Sequence, residues 1–332
     1  MSNPYEAFFP KSELPVPEDK KPIKICLKTF LSPGDILCLT LAVESLVRSF
    51  PDEYEIYVHT SADQIWLNNP NVSIIPYGKP IPDDIQVIEC TYDTIHKCSS
   101  EPWRMLEGYT HDLGKALGLV LHPKVNKPYV YLTEEEQGWI SLIHQHFTHK
   151  PTPYVLISAG HKRDYTCKCW PSYHWQSLID MFLGKVAFVQ IGHTTANNPK
   201  LERCYNAIGM TDHRQFLRLV GHKDCVGGVG GITYLGHACA AFSKPYVLIN
   251  GGREPTSWVT GYQKQHTIST VGFIPCSGAG CWRSRVVPLG DGEKNDKSLC
   301  ERPNLLGEFP APECMAMISP QEVAFAIERW LR

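Results

Sequence analysis

IKICLKTFLSPGDILCLTLAVESLVRS, residues 23–49, is the stretch on which the fold turns. Residues 23–29 read as a buried strand, residues 30–35 as a turn, and residues 36–49 as a helix with apolar side chains at helical spacing. Strand, polar loop and helix in that order open an α/β unit. Working outward, short strands are expected at 55–59, 72–76 and 86–89, with a short helix at 62–68 and turns at Asn69-Pro70 and Pro82-Asp83-Asp84. Such alternation implies parallel sheet. Helical patterns follow at 103–119 and 133–147, the second opening on Thr133 and Glu136 at capping-box spacing.

A second series starts after the Pro-rich segment 149–153, with a strand at 154–158, a helix at 172–183, a strand at 187–191 and a helix at 213–220. A short strand near Cys225, a Gly-rich turn, a helix at 234–242 and a strand at 246–250 continue it, and a last helix at 320–331 follows Ser319-Pro320. The expectation is two doubly wound, Rossmann-like domains facing a cleft, residues 1–150 and 151–332, the second containing a cysteine-rich segment at 276–314.

The length of 332 residues suits two cores better than one. With 43% hydrophobic and 20% charged residues the composition is that of a globular protein. A formal net charge of −2 provides no global field for a polyanion, so nucleic acid is not the default partner, although a local basic cleft stays open. Residues 1–20 lack an apolar leader core, and no stretch reaches the roughly 18 apolar residues of a membrane span, so a cytoplasmic protein is expected. No feature of the sequence sets an oligomeric state.

Ligands of open parallel sheets bind at the carboxyl ends of strands, which directs attention to four loops. In Leu31-Ser32-Pro33-Gly34-Asp35, Gly34 permits close approach of a ligand, and Asp35 either caps the helix or takes a proton from an acceptor hydroxyl. The loop 159–170 carries Lys162, Arg163 and Lys168; Arg163 and Lys168 suit a diphosphate, or the loop is simply an exposed basic one. Glycines 227, 228, 230 and 231 lead into Thr233 and His237, where a helix start would face a phosphate. A tight turn explains the glycines equally, and a satisfied core histidine explains His237. Asn250-Gly251-Gly252-Arg253-Glu254-Pro255 follows a strand, so Glu254 is placed to bind ribose hydroxyls, with a surface turn as the plainer reading.

Five of the thirteen cysteines, Cys26, Cys38, Cys90, Cys225 and Cys239, sit in or beside apolar runs and read as core. Cys276, Cys281, Cys300 and Cys314 fall in a segment with few apolar residues, and Ser-Gly-Ala-Gly between the first two lets thiolates converge. Four thiolates suit a closed, structural zinc or iron site, the alternative being unrelated free thiols on a long loop.

Taken together the four loops resemble the ADP-heptose heptosyltransferase family, which pairs a Gly-Asp loop after the first strand with a Lys-x-Trp segment opening the second domain. The resemblance implies the GT-B fold and a nucleotide-sugar donor such as ADP-heptose, with Asp35 as base and Lys168, in Lys168-Cys169-Trp170-Pro171, on the donor diphosphate. Thr233 and His237 match the Thr and His of the family's Asp-Thr-Gly-Leu-x-His stretch, whereas Ile232 and Tyr234 replace its Asp and Gly. Gly252, Arg253 and Glu254, the segment Trp66-Leu67-Asn68-Asn69-Pro70 and the terminal cysteines are similar to a subgroup that includes autotransporter heptosyltransferases. That subgroup modifies protein hydroxyls and holds iron on cysteines, so a glycan or protein hydroxyl is the implied acceptor. The expected reaction is inverting transfer without a divalent metal, since no Asp-x-Asp donor site is evident. Loss of the Asp at Ile232 leaves a catalytically idle nucleotide-sugar-binding protein as one alternative, and transfer to modified nucleic acid as another.

Overall fold

The structure, a computed structural model, describes residues 21–101, 103–146 and 152–331. Its first sheet contains β1 (Ile23–Thr29), β2 (Tyr54–Thr60), β3 (Ser73–Ile74) and β4 (Gln86–Glu89) in the order β3-β2-β1-β4, all parallel. β1 lies in register with β2 from Ile23 opposite Tyr54 to Thr29 opposite Thr60. Helix α1 (Pro33–Ser49) starts three residues before the expected 36, because Ser32 is its N-cap and Pro33 its first residue. Asp35 reaches back to the Ser32 backbone N–H at 3.1 Å. Every residue of α1 from Ile36 to Leu46 is buried, so the helix serves as core on all sides rather than as a surface helix.

Helix α2 (Met105–Ala116) follows. The helix expected over 133–147 is two, α3 (Glu134–Gly138) and α4 (Leu142–His146), because Gly138 ends the first and Trp139 turns extended at ψ 136°. The Thr133–Glu136 capping box is present, with Glu136 N–H donating to Thr133 Oγ1 at 3.1 Å. Most of the expected linker at 149–153 lies outside the described residues.

The second sheet is built from β5 (Tyr154–Ser158), β6 (Ala187–Gln190), β7 (Tyr205–Asn206), β8 (Cys225–Gly230), β9 (Tyr246–Gly251) and β10 (Gln265–Ser269), parallel in the order β10-β9-β8-β5-β6-β7. Around it lie α5 (Ser172–Met181), α6 (His213–Gly221), α7 (Tyr234–Ala241) and α8 (Thr256–Val259). A short ladder of β11 (Pro303–Asn304) and β12 (Ala311–Pro312), then α9 (Glu313–Ala316) and α10 (Pro320–Glu328), complete the chain. The expected pair of parallel α/β sheets is therefore present. Among the described residues no helix is long and apolar enough to cross a membrane.

One expectation is corrected. The glycines at 227–230 do not form a turn but the central strand β8, between β5 and β9. A Cβ on Gly228 would stand 2.9 Å from Cys239 Sγ, and one on Gly230 2.8 Å from the Tyr246 hydroxyl. The glycines let α7 and the Tyr246 side chain press onto the strand, and only Gly231 lies beyond its end. The two halves are also less separate than an open cleft suggests. A single apolar cluster runs from Ile36 and Leu39 of α1 to Leu235 and Ala238 of α7, and Arg214 of α6 bonds Glu136 and the Tyr131 carbonyl of the first half, at 2.5 and 2.6 Å.

Candidate active site at the seam between the sheets

The strand-to-helix turn after β1 places Asp35 in the first turn of α1, where the helix dipole favours a carboxylate. Its Oδ2 accepts from Ser32 N–H at 3.1 Å and Ser32 Oγ at 2.5 Å, and Oδ1 accepts from the Tyr109 hydroxyl of α2 at 2.7 Å. Asp35 is thus both a capping-box partner and a carboxylate held in one orientation, with a lone pair of Oδ1 left over. The two sequence readings of this residue do not exclude each other. A small cavity beside it is walled by Thr29, Glu89, Tyr109 and Asp112.

α7 meets this turn from the other half. A Cβ on Gly34 would be 3.2 Å from the His237 ring and 3.4 Å from the Tyr234 backbone nitrogen, so a glycine is what lets the two helices approach. His237 is buried, and its Nδ1 lies 2.8 Å from the Tyr262 hydroxyl and 3.3 Å from Cys38 Sγ. Burial lowers its pKa to about 4 against the opposing pull of Asp35, so the ring is neutral at pH 7. Thr233, N-cap of α7, makes no capping bond, and its buried hydroxyl has no partner among the described residues. Thr233, His237, Tyr262 and Ile232 wall a second small cavity.

Lys168 stands just before Cys169-Trp170-Pro171, where the Trp170 indole N–H donates to the Ile318 carbonyl at 3.0 Å and anchors the loop. Its ammonium pairs with Glu254 at 2.7 Å, and Arg253 bonds the same carboxylate oxygen. Burial depresses the Lys168 pKa, with Glu254 resisting. Burial also pushes the Glu254 carboxyl up, but Lys168 and Arg253 outweigh it and hold the group below the usual range. The Arg253 guanidinium lies 5.5 Å from the Tyr165 ring and 5.2 Å from that of Trp282 and donates to the Arg283 carbonyl at 2.8 Å. Asp35, Lys168, Glu254 and His237 are close enough to feel one another's charge, so the structure joins the first, second, third and fourth sequence loops. Arg163 is not joined to them: it is exposed and makes no ion pair or hydrogen bond among the described residues. Glu254, expected on a ribose, is engaged by two cations. Tyr109 and Tyr262 were not legible as site residues, since each comes from a segment remote in sequence with no motif around it, and Cys38, three residues after Asp35 in α1, reads in sequence only as core.

Cys276, Cys281, Cys300 and Cys314 line one cavity, and Cys167 joins them. All thirteen cysteines are free thiols. The Cys167 and Cys300 side chains line this cavity together. A set of soft sulfur donors fits zinc or iron by chemistry. Among the described residues no three of these sulfurs lie within 4.8 Å of one another, so closure on an ion needs the thiols to draw together. The segment has a second source of order: Arg285, wholly buried, bonds Asp164 at 2.5 Å, Asp291 at 2.7 Å and Asp296 at 2.5 Å. Elsewhere His144, His222 and Asp224 cluster. There His222 Nδ1 accepts the Asp224 N–H at 3.1 Å, and Arg218 and Lys223 bear on the ring, an arrangement suited to a hydrogen-bonded clasp rather than to a cation.

No protein-family model matches the sequence, and no curated protein matches it. Solved structures do. The ADP-heptose lipopolysaccharide heptosyltransferase II of E. coli superposes with a TM-score of 0.60 at 17% identity, over 93% of this chain and 98% of that one. A glycosyl transferase family 9 protein of Veillonella parvula gives 0.64 at 14% identity, over 93% and 97%. TibC of enterotoxigenic E. coli, described as a dodecameric iron-containing heptosyltransferase and solved with ADP-D-β-D-heptose, gives 0.63 at 16% identity, over 94% and 76%. Over nearly its whole length this chain has the fold of these glycosyltransferases.

Proposed function

We propose that this protein is a glycosyltransferase that moves a sugar, heptose from ADP-heptose, to an acceptor hydroxyl with inversion. The observation that carries the reading is the meeting, across the seam, of an oriented carboxylate from the first sheet with a half-buried lysine and a helix N-terminus from the second. Asp35 Oδ1 takes the acceptor proton, the acceptor oxygen forms the new bond to the anomeric carbon, and the carbon–oxygen bond to the diphosphate breaks. ADP leaves with the bonding electron pair. Lys168 and the amides opening α7 offset the charge that grows on the diphosphate, which is where preorganised electrostatics lowers a barrier most. Donor entry then exchanges the Lys168–Glu254 pair for a Lys168–phosphate contact, leaving Glu254 to Arg253 and to the nucleoside.

Cys276, Cys281, Cys300 and Cys314 would hold a structural iron or zinc ion in the same reading. The ion would organise their segment, and the transfer step would not use it. The acceptor is a glycan or protein hydroxyl on the strength of the resemblance.

Asp35→Asn is the direct test. It keeps the Ser32 and Tyr109 contacts sterically possible while removing the base, so transfer from ADP-heptose should fall by about a hundredfold or more, with ADP affinity within a few-fold of wild type. Unchanged turnover in this variant refutes the assignment. Wild-type protein that binds ADP-heptose but never transfers or hydrolyses it favours the idle binding protein instead.

A further inference from the structure

We infer that the ion at the C-terminal cysteines governs donor affinity and that Cys167, a fifth thiol in the same cavity, is the positioning residue that carries the coupling. The inference rests on the donor reading of Lys168 and goes beyond a purely structural role for the ion.

Both halves of the Lys168–Glu254 pair are attached to the cysteine cavity. Cys167 directly precedes Lys168 and lines the cavity with Cys281, Cys300 and Cys314. Its backbone is fixed there, since Cys167 N–H donates to the Ser284 carbonyl at 3.1 Å and Thr166 Oγ1 accepts from Val286 N–H at 2.8 Å. Glu254 is reached from the other side. The Cys281 N–H donates to the Gly252 carbonyl at 3.2 Å and the Trp282 N–H to the Arg253 carbonyl at 3.1 Å. The Cys314 Cβ lies 3.3 Å from where a Gly252 Cβ would be, so this side chain packs on the backbone just before the donor arm. Thiolates drawn onto an ion would therefore fix, at once, the loop that carries the diphosphate lysine and the loop that carries its counter-ion.

Two consequences follow. Ordering both arms before the nucleotide arrives removes a cost of binding, so the loaded protein holds ADP more tightly, and by linkage ADP tightens the ion by the same factor. Cys167 reports on this directly. Its side chain lies in the same cavity as the four thiols, where an outer contact to ligand sulfur alters the electronics of an ion.

The test uses the full-length protein loaded with Co²⁺, whose thiolate charge-transfer band is visible, and ADP as ligand. ADP Kd is measured by calorimetry in the loaded and chelated forms, with circular dichroism as a check on folding. The loaded form should bind ADP at least about fivefold more tightly, and ADP should shift the charge-transfer band. Cys167→Ala leaves four cysteines and should keep one Co²⁺ per chain. It should lose the ADP-dependent shift and bind ADP as the chelated form does, and Cys167→Ser, which retains a donor, should recover part of both. Equal ADP affinity with and without Co²⁺ in a folded protein overturns the coupling while leaving the transferase reading intact. A wild-type band shift and Kd in Cys167→Ala overturn the role of Cys167, and they decide the matter if the chelated protein unfolds. Absence of ADP binding in both forms refutes the donor reading itself, and absence of Co²⁺ uptake refutes the site.

Discussion

Asp35 shows how one side chain can cap a helix and still hold a carboxylate oriented for the proposed chemistry. Ser32 fixes one carboxylate oxygen and Tyr109 the other, so the proposed base is oriented in part by the contacts that start α1. Tyr109 is buried, and burial foremost, with Asp35 nearby, keeps its hydroxyl protonated and donating. Tyr109→Phe removes one hydrogen bond to a charged group without emptying the site. It should lower kcat about tenfold, the worth of such a bond, and leave KM and the thermal midpoint nearly unchanged. An equal rise in KM would assign Tyr109 to substrate binding instead. Sequence reading found Asp35 because it sits in a Gly-Asp turn after a strand. It missed Tyr109, 74 residues away, because a hydroxyl donor in an amphipathic helix has no spacing signature.

At the scale of elements, β8 is the instructive case. Its glycines look like a turn in sequence, because glycine is rare inside strands and common between them. Glycine is required in this strand because α7 and the Tyr246 hydroxyl pack on it more closely than any Cβ allows. Gly228→Ala should therefore destabilise the protein by about 1–3 kcal/mol, the usual cost of overpacking, read as a lower denaturant midpoint at unchanged slope. Were β8 an exposed turn, the same change would be nearly neutral. The split of the expected 133–147 helix has the same origin in context. Glu136 satisfies the capping box predicted from Thr133, yet it also turns inward to Arg214, and the chain leaves helical geometry after Gly138.

For the whole molecule, the seam is what holds the site together. Arg214 is buried and donates to Glu136, to the Tyr131 carbonyl at 2.6 Å and to the Gln64 carbonyl at 3.2 Å, tying α6 to three segments of the first half. Arg214→Ala leaves Glu136 buried and unpaired and should cost about 3–5 kcal/mol, with loss of cooperativity between the halves in denaturant unfolding. Stability should also depend on acid. His222 and His237 are buried and neutral, each with its pKa lowered to about 4 chiefly by desolvation, while the unfolded chain takes up these protons near 6.5. The unfolded state thus binds more protons between about pH 6.5 and 4, and the thermal midpoint should fall as pH drops through that window. His237→Gln should flatten the dependence, and an unchanged pH profile in that variant would contradict the burial argument.

What the sequence determined by itself was local. The 3.6-residue and strand-length apolar patterns, the Ser32-Pro33-Gly34-Asp35 start, the Thr133 and Ser319 caps and the order of strands and helices follow from backbone preferences acting within a few residues, and the structure repeats them. Tertiary structure alone decided the rest. It paired Lys168 with Glu254, brought His237 to Cys38 and Tyr262, converted glycines into a packed central strand, and added Cys167 to a cavity whose other thiols lie more than a hundred residues on. Those pairings depend on which surfaces of two parallel sheets pack together, and contacts between distant segments leave no period or spacing in a single chain.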